Sequence, residues 1–593
     1  MRGPTSALYG SEGLGGVIHI ITKKASKTRK TSIRGEAGTA NTYGGALFHS
    51  QKFDGFGLMA AGGYDDSDGF YMREDVQSYT TKKYRRAGKA LGKVSYDIAE
   101  NSDITLSGLY YDLDGGQGRE FFHTDLTLDQ YWLNYSRKGE KLGLKGLVYL
   151  NRADKTAYQD NANNNYTAPY RDEHPKAYTW GVDLQGNYAL WKGANLTLGA
   201  AFKEANWDYD EDFPGTTRDA GAEGVQQFIS PFLNADFRLF DDSLILTAGA
   251  RYDFISTSDG AIWDTKPEGG VPAYKNQYDT QHEESFSPKV GIAYHPVRAR
   301  LRRAANGRAE LRSSACPTGR RRRPFEQSLE PSRSNAIGDR TSPPAARPTR
   351  LSSPNTRTTL RASAGKGFRA PSLFELYKVH IRGGGTYYRA ANPKLEPEEI
   401  WSYDVGVERF ILSSLLGKFT FYQSFAKDYI ADRVTKTYVK NNKTYKEYIL
   451  DNVNEVEIYG IEAELNWYAR KDLTLFANYT YNVSKIKKDD YNKKLEDQKL
   501  TDDPRHKIQV GATYQNPDLV NLTVLFNYYA ERYYNVDEVT QAKDTYWAVD
   551  LSASRKIYDG LSAYASIENI FDSVDNENLS PGTIFTGGLK LEF

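Results

Sequence analysis

His380 is the residue of this chain best suited to ligating chemistry, and it shares a short segment with Arg382, Tyr387 and Tyr388. Imidazole is a suitable axial ligand for a metal; the plain alternative is an exposed loop histidine. Trp207, Tyr209 and Phe213, together with Tyr387 and Tyr388, offer aromatic faces on which a flat molecule such as a catechol or a porphyrin could stack. The same rings would serve equally as anchors at a membrane interface. Asp65, Asp66 and Asp68, with Asp112 and Asp114 further on, offer oxygen ligands to Ca²⁺. Tyr64 and the lack of a glutamate at the twelfth place break the EF-hand spacing, so a solvated acidic loop accounts for the cluster as well. Enzymatic chemistry finds no footing. Eight His are scattered, no Ser/His/Asp set assembles from spacing, and no Gly-rich phosphate loop leads into a helix.

The elements that must carry these groups repeat with period two. Phe585, Gly587, Leu589, Leu591 and the terminal Phe593 share one face, while Thr586, Gly588, Lys590 and Glu592 share the other. Leu244, Leu246, Ala248, Ala250, Tyr252 and Phe254 alternate with Thr247, Gly249, Arg251 and Asp253, and the run 473–483 repeats the pattern. Such alternation suits a wall with lipid on one side and a wet lumen on the other, and about 9–11 residues cross a bilayer as a tilted strand. Short connections, Ala469–Asp472 and Tyr558–Gly560, alternate with long ones rich in Asp, Asn, Gly and Tyr at 111–127, 152–176, 206–224, 255–284, 372–399 and 485–504. A large antiparallel transmembrane β-barrel, on the order of 20 strands or more, fits this length and asymmetry. No helix is expected.

Composition agrees. Mean hydropathy is −0.66 with 44 Tyr and 3 Met, and no apolar run of about 18 residues exists to form a membrane helix. A barrel tolerates low hydropathy because only alternate residues meet lipid; a large secreted all-β protein would share the composition. The single Cys316 excludes an internal disulfide. The net charge of +1 conceals a segment, 297–358, with 15 Arg, no Lys, 4 acidic residues and 7 of the 22 Pro. The rest of the chain is acidic, so nucleic acid is not an expected partner. Segment 297–358 has no structural period and reads as an Arg/Pro-rich insert, disordered or out of frame, between a strand ending near His295 and one starting near Thr359.

Residues 2–22 include Arg2-Gly3-Pro4, Tyr9-Gly10 and Gly15-Gly16-Val17-Ile18. They resemble the end of the plug domain of TonB-dependent outer-membrane receptors. Phe368-Arg369-Ala370-Pro371, Asn392-Pro393-Lys394-Leu395 followed by Pro397-Glu398, Tyr459-Gly460-Ile461-Glu462 and Asn569-Ile570-Phe571-Asp572 before the terminal Phe593 resemble motifs of the family's barrel. The resemblance implies 22 strands: a plug remnant over 1–24, barrel over 25–296 and 359–593, and the insert between.

The resemblance also implies a place in the bacterial outer membrane among its lipids, and uptake of an iron–siderophore, cobalamin or haem driven by the TonB complex. Assembly would proceed through barrel-assembly machinery that reads the C-terminal strand. In haem receptors of this family a histidine placed like His380 ligates the iron, and acidic loops of its cobalamin receptors bind Ca²⁺. Set against the family pattern, the signal peptide, the TonB-contacting segment and most of the plug are expected to be missing, which reads as a truncated product or a mis-set start. The alternatives are a passive or degenerate pore built on the same barrel, and a secreted β-rich adhesin.

Overall fold

A computed structural model describes residues 10–13, 22–72, 76–161, 165–296, 358–516, 518–535, 541–575 and 581–593. Among these residues, 22 strands form one closed antiparallel ring. Lys30–Gly38 opens the ring and Ile584–Glu592 closes it, with Ile33 opposite Leu591 and Arg34 opposite Lys590. The terminal residue completes the seam: Phe593 N–H donates to the Thr31 carbonyl at 2.9 Å, and Thr31 N–H donates to the Phe593 carbonyl at 2.8 Å. Every backbone polar group along the seam therefore has a partner, which a wall in hydrocarbon requires. Among the described residues the closed ring leaves no free edge and no second layer, so the secreted β-rich adhesin is not favoured.

The alternation expected from sequence is the alternation of the wall. Phe254 is 46% exposed on the outer face, whereas Asp253 beside it is 0% exposed on the inner one. Outside, an aliphatic band that includes Leu184, Leu198, Leu233, Val290, Val405 and Leu465 runs between two aromatic girdles. Tyr188, Trp191, Tyr294 and Trp467 stand at one rim of the band; Tyr178, Trp180, Phe254, Phe286 and Trp401 stand at the other. This is the outer surface of a barrel held in a bilayer.

The long connections expected from sequence are shorter than supposed, because the strands run on. Ser102–Arg119 and Phe122–Arg137 leave only a tight turn inside 111–127, and Leu415–Lys440 and Lys443–Tyr468 are 26 residues each. About 9–11 residues suffice to cross, so the remainder projects as paired strand beyond the girdle. The polar, turn-rich composition that suggested loops belongs to strands with water on both faces. At the other rim the turns that are described in full are short: Trp191 leads to Ala194 and Tyr558 to Leu561 within a few residues.

Residues 297–357 lie outside the described residues, and strand structure resumes at Thr358. The ends that flank this segment already meet. Tyr294 is opposite Leu360, and His295 Nδ1 is 2.9 Å from Thr359 Oγ1.

One expectation is overturned inside 372–399. A helix does form, Leu373–Tyr377, and its signal was legible as Ser372-Leu373-Phe374-Glu375. Ser372 Oγ accepts from Glu375 N–H while the Glu375 carboxylate accepts from Ser372 N–H at 2.8 Å, a reciprocal cap.

Candidate functional site

Residues 370–397 link the strands Thr358–Arg369 and Glu398–Leu412 by folding back against the inner wall; this segment is called the strap below. It carries the helix, then a small hairpin of His380–Arg382 against Tyr387–Ala390. Leu373, Leu376, Tyr377 and Leu395 bury themselves with Ala222 and Ile262 on one side and Ile430 and Leu450 on the other. The second arm of the hairpin pairs parallel with Lys446–Ile449, so the strap reaches across the inner surface between distant barrel strands. Two glycines make room for it. A Cβ on Gly224 would lie 2.7 Å from the Tyr377 ring, and one on Gly260 would run into the same ring.

The family motifs turn out to anchor the strap. Arg369 Nε donates to Glu398 at 2.7 Å and its other nitrogens hold Glu375 at 2.8 and 3.1 Å. Phe368 is fully buried, and the Pro371 carbonyl accepts from Gln226 at 3.2 Å. Asn392 donates from its amide to the Leu450 carbonyl at 2.7 Å and from its backbone to the Leu376 carbonyl at 2.9 Å, leaving Pro393 to turn the chain home. Glu398 also accepts from Ile430 N–H at 2.9 Å. Elsewhere, Asn569 adopts positive φ and pins its own turn through Ser573 and Thr583, while Phe571 lies exposed on the outer face beside Trp547. Gly10 meets the inner wall at Arg251, where a Cβ would sit 3.0 Å from the guanidinium. Arg2, Gly3, Pro4, Tyr9, Gly15 and Gly16 lie outside the described residues.

Docking the strap completes a polar cluster that sequence spacing could not show. The Glu211 carboxylate accepts from Tyr209 at 2.7 Å, from Arg171 at 3.1 Å and from Lys378 of the strap. Lys378 is almost wholly buried, 3.6 Å above the Tyr209 ring. Burial lowers its ammonium to about 8, even with Glu211 opposing the shift. Arg218 grips Asp264 at 3.1 and 2.7 Å and lies 3.8 Å over the Phe213 ring. Tyr274 and Trp263 close the same cleft. Arg171, Glu211, Arg218 and Asp264 were missed because each belongs to a different part of the chain; a run of inward-facing charges on strands is the only trace they leave.

His380 lies in the hairpin opposite Arg389, its ring edge-on to Phe374 at 5.4 Å. Its Nε2 is buried without a hydrogen-bond partner among the described residues. Burial first, then Arg389, Lys378, Arg382 and Arg171, push its imidazole down to about 2. It is therefore a neutral ring in a positive field and can act as a ligand or a hydrogen-bonding group, not as an acid. Tyr387 stacks on Tyr448 at 4.6 Å with Arg382 6.0 Å from its centroid, and Tyr388 is half-buried nearby. Trp207 stacks on Tyr209 at 5.4 Å and meets Phe374 edge-on at 6.0 Å. The two aromatic groups proposed from sequence are thus brought to one side of the lumen.

The acidic triplet is not brought together. Asp65 is paired with Arg85 and, at 3.0 Å, with Lys89; Asp66 accepts from Tyr43 and Tyr64 at 3.1 Å each; Asp68 accepts from Asn41 at 2.6 Å. Neighbours in one strand face opposite ways, which parts Asp65 from Asp66. Among the described residues no three acidic, His or Cys side chains gather as a metal site. Asp112 accepts from Thr127 at 3.2 Å, and Asp114 from Tyr84 at 2.8 Å.

Comparison with known proteins places these features. The family model described as TonB dependent receptor-like, beta-barrel matches residues 26–309 and 330–570. The chain is 24% identical over 238 residues to an iron-regulated outer membrane virulence protein of Vibrio cholerae, covering 37% of this chain and 34% of that one. It is 21% identical over 582 residues to the vitamin B12 transporter BtuB of Photobacterium profundum, covering 96% of this chain and 75% of the relative. The match to the Vibrio protein thus spans about a third of its length. The crystal structure of the ferric yersiniabactin uptake receptor FyuA from Yersinia pestis superposes with a TM-score of 0.72 at 11% identity, covering 100% of this chain and 84% of that one. At that identity the likeness is one of fold.

Proposed function

This chain belongs to the TonB-dependent receptors and lies in the bacterial outer membrane, and we propose that it takes up an iron–siderophore, with cobalamin or haem as the other cargoes of the same size and scarcity. The observation that carries this reading is the docked strap. It sets Lys378, His380, Arg382, Tyr387 and Tyr388 on the inner wall beside Arg171, Tyr209 and Arg218. An unselective pore does not need convergent polar and aromatic groups fixed on its inner wall by a buried ion pair. A receptor does, because a dilute ligand must be held by convergent polar and aromatic groups before it can be moved.

The relatives' printed names support the class of cargo: one is a vitamin B12 transporter and another an iron-regulated outer membrane virulence protein. Work for release into the lumen would come from the TonB complex. The carboxylates at Asp65, Asp66 and Asp68 are better read as partners of Arg85, Lys89 and their neighbours than as a Ca²⁺ site.

The test is accumulation of radioactive iron, given as a ferric chelate, by iron-starved cells making this protein. Uptake should require TonB and stop when the TonB gene is removed. Accumulation that continues at the same rate without TonB would instead mean an open pore.

A further inference from the structure

Arg389 is the least satisfied cation of the strap. Its side chain is 12% exposed, and among the described residues its ion-pair neighbour is Asp432, 3.6 Å away and 43% exposed. Its Nε and Nη2 are buried without an acceptor among the described residues. Directly across the hairpin, His380 Nε2 is in the same condition, and Arg171, nine-tenths buried, has its own Nε unpartnered. A buried donor without an acceptor is costly, the more so when charged. Two such arginines, Arg389 and Arg171, act on this imidazole electrostatically from the positive side. Chance placement of one orphan polar atom is ordinary; two on one guanidinium, with a third on the imidazole paired across the hairpin, call for a polar partner.

We propose that His380 and Arg389, paired across the hairpin, bind an anionic oxygen group carried by the cargo, the Arg389 fork donating two hydrogen bonds and His380 Nε2–H a third. This rests on reading the strap as a ligand site and goes further, because it requires the cargo to bear a carboxylate, catecholate or phosphate oxygen. An uncharged chelate leaves the same nitrogens unsatisfied. The neutral state of His380 fits this role: a ring that keeps one N–H and carries no charge adds a donor without further repulsion of Arg171 and Arg389. Guanidinium is suited to the task by its planar fork, which matches two oxygens at once.

Four probes separate the outcomes, each titrated against the full chain in detergent by tryptophan quenching, for which Trp207 and Trp263 lie close by. Gallium(III) tris-catecholate, haemin and cyanocobalamin all carry anionic oxygens, as catecholates, propionates and a phosphodiester; gallium(III) tris-hydroxamate is uncharged. At least one anionic probe should bind more tightly than the uncharged one. Arg389→Gln should weaken that probe by about tenfold or more, with Arg389→Lys falling between Gln and wild type. Heat-modifiable gel mobility, unchanged in both variants, confirms that the barrel has folded. Tight binding of the uncharged probe, or an anionic probe held equally by wild type and Arg389→Gln, would overturn the anion site while leaving the receptor reading intact. Binding of none of the four would remove the ligand site itself, and the anion site with it.

Discussion

Arg369 and Glu398 face each other in register across the root of the strap, and the guanidinium Nε donates to the buried carboxylate at 2.7 Å. The pair joins the last residue of one barrel strand to the first of the next. The same arginine reaches forward to Glu375, so the cap of the helix and the base of the strap share one cation. Positioning of the candidate ligand residues depends on that junction.

Arg369→Ala should therefore undock the strap without opening the barrel. Among the described residues it leaves the buried Glu398 with the Ile430 amide as its remaining donor, and removal of one partner from a buried pair costs about 3 kcal/mol. Limited proteolysis should cut between 380 and 390 in the variant and not in the wild type, with heat-modifiable mobility preserved. Equal resistance in both proteins would show that the strap is held by its apolar contacts alone.

Gly260→Val tests those apolar contacts. The new side chain must displace the Tyr377 ring, and overpacking of this kind costs about 1–3 kcal/mol. Ligand affinity should fall while membrane insertion is unaffected, because Gly260 faces inward near the end of its strand. A variant that binds as well as wild type would mean that the helix Leu373–Tyr377 has no part in shaping the site.

Acid should loosen the strap through His380. Its imidazole is held at about 2 when docked, against an ordinary 6.5 once released. Between those values the released form binds more protons, so docking is at full strength above the ordinary value and weakens as pH falls below it. A nitroxide on Lys394→Cys, in a Cys316→Ser background, should gain mobility between about pH 7.5 and about pH 4.5. His380→Gln should flatten that change. Equal mobility across the range in the protein with His380 intact would contradict the buried, neutral ring.

How much of this was legible varies with the scale of the feature. The wall was readable because its cause is local: Phe254 beside Asp253, and Leu589 beside Lys590, already show which side is wet. The lengths of strands were not. Residues 429–452 are polar on both faces once above the membrane, and polarity on both faces looks like a loop. The helix at 373–377 was available from its Ser372/Glu375 cap but was passed over among long polar connections. His380, Arg382, Tyr387 and Tyr388 were found as a group because they are close in sequence. Arg171, Glu211, Arg218 and Asp264 were not, since only strand register and the inward fold of the strap bring them to Lys378. Asp65, Asp66 and Asp68 show the converse: adjacency in sequence, read as convergence, is parted by the pleat.

Deleting Phe593 should impair assembly, because it removes both hydrogen bonds to Thr31 and an outward aromatic ring at the seam. A lower yield of the heat-modifiable form in the outer-membrane fraction is the expected result. An unchanged yield would mean that the seam is secured before its last residue.

Ring closure underlies every placement above, and a single cross-link examines it. Arg34 and Lys590 are register partners although they stand at opposite ends of the chain. In a Cys316→Ser background, Arg34→Cys with Lys590→Cys should form an intramolecular disulfide on mild oxidation, seen as a shift on a non-reducing denaturing gel that reductant reverses. Failure to cross-link in folded, membrane-inserted protein, alongside ready cross-linking of the neighbouring pair Arg34→Cys with Ala46→Cys, would mean that the first and last strands do not meet and that the barrel is not closed.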